Sequence, residues 1–105
     1  MRERLEQLLA TGRDSALLRF GLGNACLKEG DAAAAALHLA QATQQQASYS
    51  AAWKLLGVAL NQLERWDQAQ AAWTTGLEVA EQQGDAQSAK EMAVFLRRLQ
   101  RRKSQ

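Results

Sequence analysis

The chain has 105 residues, a mass of 11.6 kDa and a formal net charge of +2, enough for one small domain and too little for a second core. Alanine occurs 21 times, leucine 16 times and glutamine 13 times, whereas isoleucine and proline are absent and valine occurs three times. Strands need β-branched and aromatic side chains to fill a half-buried pleated face, so all-β and α/β folds are excluded and an all-α domain remains.

Six helices are predicted in chain order. Residues 2–10 carry Leu5, Leu8 and Leu9 at helical spacing and end at Thr11-Gly12-Arg13-Asp14, a glycine suited to a helix C-terminus followed by an aspartate suited to capping the next helix. The same pairing recurs at Glu29-Gly30-Asp31 and Gln83-Gly84-Asp85, which predicts helices over 15–28, 31–45 and 85–102. Two softer breaks, Gln46-Ala47-Ser48-Tyr49 and the glycine-free Leu63-Glu64-Arg65, bound helices over 49–62 and 66–82. Short links of this kind imply antiparallel packing.

Charge is spread unevenly. Residues 92–105 hold five cations and no acid, so the rest of the chain sums to −3. The lone Cys26 cannot form an internal disulfide and has no zinc-ligand spacing around it. The start, Met1 to Gln7, places charges where a secretory leader needs an apolar core, and no run reaches about 18 apolar residues. The expectation is a cytoplasmic chain with no membrane partner.

Shifting the chain by 34 residues aligns Leu22-Gly23 with Leu56-Gly57, Cys26 with Leu60, Ala35 with Ala69, and Leu39 with Trp73. In the second copy Trp53-x2-Leu56-Gly57-x2-Leu60 is followed by Trp66-x2-Ala69-x3-Trp73-x2-Gly76, which resembles the tetratricopeptide repeat. The first copy departs from it, with Arg19 for Trp53 and Ala32 for Trp66, and both copies lack the terminal proline, with Ala47 and Glu81 in its place. The resemblance implies a right-handed α-solenoid of antiparallel hairpins. Residues 1–12 form an N-terminal half-repeat, 14–47 and 48–82 the two repeats, and 85–105 a C-terminal capping helix with a basic end. Gly57 and Ala69 fall at close helix crossings, the tryptophans at core sites, and the six helices stack as three pairs. In the capping helix Ala89, Met92, Ala93, Leu96 and Leu99 form one apolar stripe.

Signals for chemistry are few. Gly21-Leu22-Gly23-Asn24-Ala25-Cys26 lacks the third glycine and the preceding strand of a dinucleotide-binding turn. His38 has no second group placed by spacing and reads as a partly exposed imidazole; Cys26 takes the place of Leu60 and reads as a core residue. Trp53, Trp66 and Trp73 read as core rather than as a stacking platform, and Tyr49 packs on the junction. No catalytic residue, cofactor or metal ligand is assigned, and an enzyme would require reactivity at Cys26 or His38. Arg97, Arg98, Arg101 and Arg102 fall away from the apolar stripe, forming an exposed basic face with no interleaved aromatic beyond Phe95.

In the family the first helix of each hairpin lines a concave side that binds extended peptides or partner helices. The resemblance therefore assigns partner contact to Leu17, Phe20, Asn24, Leu27 and Lys28 from one repeat and to Lys54, Val58, Asn61 and Gln62 from the next. Some members clamp a C-terminal carboxylate; here only Asn24 and Lys54 stand in suitable places, and Leu55 stands where an amide would be wanted. The expected function is a non-enzymatic protein-interaction module, monomeric or weakly dimeric. The alternative is docking of nucleic acid or an acidic protein on the C-terminal arginines, with an affinity that falls steeply with salt.

Overall fold

The computed structural model describes residues 1–104, and Gln105, the last residue of the predicted C-terminal segment, lies outside the described residues. Six helices follow in order: α1 (Arg2–Ala10), α2 (Ala16–Lys28), α3 (Ala32–Gln45), α4 (Ser50–Gln62), α5 (Trp66–Gln83) and α6 (Ala86–Lys103). The starts of α2, α3 and α6 are fixed by side chains that satisfy amide groups left open in the first turn. Asp31 accepts from Ala34 N–H at 3.1 Å to cap α3, and Asp85 accepts from Ser88 N–H at 3.1 Å to cap α6. The cap of α2 corrects the expectation: Ser15, not Asp14, accepts from Leu18 N–H at 3.1 Å. Asp14 is drawn away by the Arg19 guanidinium, which donates to both its oxygens at 2.8 and 2.9 Å.

Gly12, Gly30 and Gly84 leave their helices at φ of 85°, 80° and 72°, where L side chains are disfavoured. The glycine-free break uses the same geometry. Glu64 stands 34 residues after Gly30 and adopts φ of 60°.

Packing follows the repeat. A Cβ at Gly23 would strike the Leu39 side chain, and one at Gly57 would strike the indole of Trp73, the residue equivalent to Leu39. Each hairpin, α2 with α3 and α4 with α5, is thus closed by a large side chain seated on a glycine. Gly76 receives the Trp53 Cβ and Met92, which joins α6 to the second hairpin. Leu22, Leu39, Cys26 and Met92 are fully buried, and burying a leucine of that size contributes about 1.5–3 kcal/mol. Ala35 and Ala69 are also fully buried, as the repeat register requires.

Two expectations are corrected here. Only Trp73 of the three tryptophans is buried, 3% exposed, with its Nε1 donating to Lys54 O at 3.0 Å. Trp53 and Trp66 are half-buried at the edge of the core. The helices also do not form three pairs, since α1 packs on α2 while α6 packs on α5 and α4 at the opposite end. A single helix therefore closes each end of two hairpins in a stack of 45 × 29 × 18 Å. No residue of α1 is fully buried, and Arg2 ties it down by donating to Asp31 at 3.0 Å and Glu29 at 3.3 Å, while also donating to Glu6 of its own helix at 3.2 Å.

Along the stack α2 touches α4 and α4 touches α6, whereas α3 and α5 make no helix contact with each other among the described residues. The side made by α2, α4 and α6 is closed up, and the other is splayed. This places α6 as the first helix of a third, incomplete repeat, so its residues enter the same face as those of α2 and α4.

Candidate functional site

A cleft of about 360 Å³ opens where the C-terminal half of α4 faces α6. Val58, Asn61 and Gln62 form the α4 wall, and Phe95, Arg98, Leu99 and Arg102 form the α6 wall. Trp73 of α5 reaches between them, with the Phe95 ring tilted against it at 5.0 Å. Phe95, Arg98, Leu99 and Arg102 stand at spacings of three and four, so one face of α6 supplies the whole wall.

This geometry divides the basic cluster. All four arginines are exposed, as expected, but at 100° per residue Arg98 and Arg102 fall roughly 100° from Arg97 and Arg101. Phe95 lies between the buried stripe, whose edge is Leu99, and the first pair, so that pair turns toward α4. Arg97 and Arg101 border a separate shallow surface with Gln100 and Ser104. The missing aromatic is supplied from another element: the Arg102 guanidinium carbon lies 4.5 Å from the Trp66 ring centre, on the first residue of α5. Lys103 donates to Asp67 at 2.9 Å and to Gln70 at 2.7 Å, holding the last turn of α6 on α5. Among the described residues no carboxylate lies within ion-pairing distance of Arg98 or Arg102.

Of the residues assigned to partner contact, the structure brings Val58, Asn61 and Gln62 together with Arg98 and Arg102. Lys54 does not line the cleft, and its Nζ pairs with Glu91 of α6 at 3.0 Å. In the first repeat Leu17 is 72% exposed and Lys28 is exposed, while Asn24 and Leu27 are half-buried. Phe20 stacks on Tyr49 at 5.0 Å, which confirms Tyr49 as a junction residue and leaves Phe20 partly covered by it. Trp73, Phe95 and Leu99 were missed as lining residues, and Trp66 as the ring beneath Arg102. The spacing of Phe95, Arg98, Leu99 and Arg102 was a readable signal; the approach of α5 was not.

Arg19 and Trp53 hold the fold. Arg19, at the position of Trp53, binds Asp14 and donates to His38 Nδ1 at 3.2 Å. Trp53 Nε1 donates to Ala47 O at 2.9 Å, so both residues tie the start of their helix to the preceding link. His38 is half-buried, and burial together with the Arg19 charge pushes its pKa down. Burial pushes the Cys26 thiol up, which disfavours the thiolate a nucleophile needs.

No family model matches the chain. A TPR repeat-containing protein of Pseudomonas aeruginosa is 52% identical over 101 residues, covering 96% of each chain. The chain belongs to the tetratricopeptide repeat proteins. A Bordetella parapertussis protein of known solution structure matches this TPR chain at a TM-score of 0.83 with 44% identity, covering 97% of this chain and 89% of that one. A tetratricopeptide repeat domain from Salinibacter ruber matches in fold, with a TM-score of 0.77, 22% identity and 83% of this chain covered against 97% of its own. The TPR architecture marks the chain in general as a protein-interaction module.

Proposed function

We propose that the chain acts as a scaffold or adaptor without catalysis, holding an extended peptide or a partner helix on the face made by α2, α4 and α6. The observation that carries this is the open cleft in which Val58, Asn61 and Gln62 meet Phe95, Arg98 and Arg102 beside Trp73. Apolar and aromatic groups there offer area to side chains, and the two amides offer donors and acceptors to a peptide backbone. The exposed first-repeat residues Leu17 and Lys28, with Asn24 beside them, extend the same face toward the N-terminal end. Cytoplasmic residence belongs to this reading; among the described residues no helix is long and apolar enough to cross a membrane.

The test is recovery of partners from native lysate by the intact chain and by a Val58→Asp, Asn61→Ala variant, with circular dichroism showing both folded. The reading expects partners to be lost from the variant. Recovery of the same partners by both would place the binding surface elsewhere.

A further inference from the structure

Resting on the partner-binding reading of the cleft, we propose that its occupant is an acidic protein segment. Two of its carboxylates seat on Arg98 and Arg102, and an aliphatic or aromatic side chain on the same face of the segment meets Val58, Phe95 and Trp73. The two arginines are four residues apart on one helix, which puts their Cβ atoms about 5–6 Å from each other. Carboxylates match that separation when they stand four apart in a helix or two apart in an extended chain, where two residues span roughly 6.6 Å.

Charge complementarity fixes the sign of the occupant. The neighbouring acids are already paired, Glu91 with Lys54 and Asp67 with Lys103. Among the described residues the cleft is left with two guanidinium groups and no carboxylate on either wall. Stacking on Trp66 holds the Arg102 plane before a partner arrives, so less side-chain freedom is lost on binding. A guanidinium fork offers parallel donors to both oxygens of one carboxylate, a geometry that a lone amide cannot supply.

The same arrangement disfavours a nucleic-acid occupant. A phosphate backbone is followed by a continuous track of cations, and here Arg97 and Arg101 border a separate shallow surface outside the cleft. The cleft itself offers two cations beside apolar surface from Val58, Phe95 and Leu99.

The probe is a phage-displayed library of random dodecapeptides panned against the full chain, with enriched sequences remade as labelled peptides and titrated by fluorescence anisotropy. Enriched peptides are expected to carry two acids spaced by two or four residues. Replacing both acids by amides should weaken binding at least about tenfold, as should Arg98→Gln combined with Arg102→Gln. Arg98→Gln alone, which leaves the Trp66 stack intact, should weaken it at least about fivefold, while Arg97→Gln with Arg101→Gln should change it less than about twofold. Peptides without acids that bind the arginine variants unchanged yet are lost on Val58→Asp would overturn the acidic occupant and leave the partner cleft standing. An absence of enriched peptides, or peptides indifferent to Val58→Asp, would overturn both. A single-stranded dodecanucleotide that binds more tightly than the enriched peptides would overturn the proposal in favour of nucleic acid.

Discussion

At position 64 the chain turns through the left-handed region on a glutamate, where the first repeat uses Gly30. A side chain there costs about 1 kcal/mol, so Glu64→Gly should raise unfolding stability by about that amount in denaturant titrations. The opposite effect is expected at Gly57, because Trp73 is buried and its indole is fixed by Lys54 O. Gly57→Ala should lower stability by about 1–3 kcal/mol, with Trp73 fluorescence altered in the folded state. The repeat register made these positions legible, since a shift of 34 residues pairs Gly23 and Leu39 with Gly57 and Trp73. It did not reveal how far each tryptophan is buried. That depends on which neighbours follow: Met92 seats on Gly76, whereas Trp66, at the start of α5, has the Arg102 guanidinium over its ring.

Among the elements, the ends of the stack depend most on charged contacts. Because α1 buries no residue fully and is tied by Arg2, Arg2→Ala should speed amide exchange throughout α1 while leaving α4 and α5 unchanged. The caps give the helices a pH dependence. Hydrogen bonds from Ser50 and Ser88 hold the Asp85 carboxyl below its ordinary value, and the Ala34 amide with Arg2 does the same for Asp31. A lowered folded pKa means that the unfolded chain takes up more protons as pH falls, so this stabilisation is complete above about pH 4 and is lost below it. His38 adds an earlier step of the same sign, beginning near pH 6.5, because its folded pKa is also lowered. Denaturant titrations across pH should show both steps, with His38→Gln removing the first and Asp85→Asn shrinking the second while keeping a side-chain acceptor for Ser88 N–H. Helix boundaries were legible because glycine and aspartate mark three of the links. The choice of Ser15 over Asp14 as a cap was not, because Arg19 competes for Asp14 only once α2 has formed.

For the whole molecule, repeat self-similarity was enough to give the solenoid, since each hairpin needs a neighbour to cover its apolar face. The candidate site was legible by halves. The α4 wall came from the repeat positions of Val58, Asn61 and Gln62, and the arginines came from charge clustering, but the two were read as separate surfaces. Their meeting depends on α6 taking the place of a third first helix, and no 34-residue match in the sequence announces that. The central claim, that a partner binds where α4 and α6 face each other, is tested most directly by the three indole N–H resonances in a proton–nitrogen spectrum recorded during titration with a captured partner peptide. Trp73 lines the cleft and Trp66 underlies Arg102, whereas Trp53 contributes nothing to it. The account predicts that the Trp66 and Trp73 signals move with peptide while Trp53 stays in place. Movement of Trp53 alone, or binding that leaves all three unmoved, would contradict it.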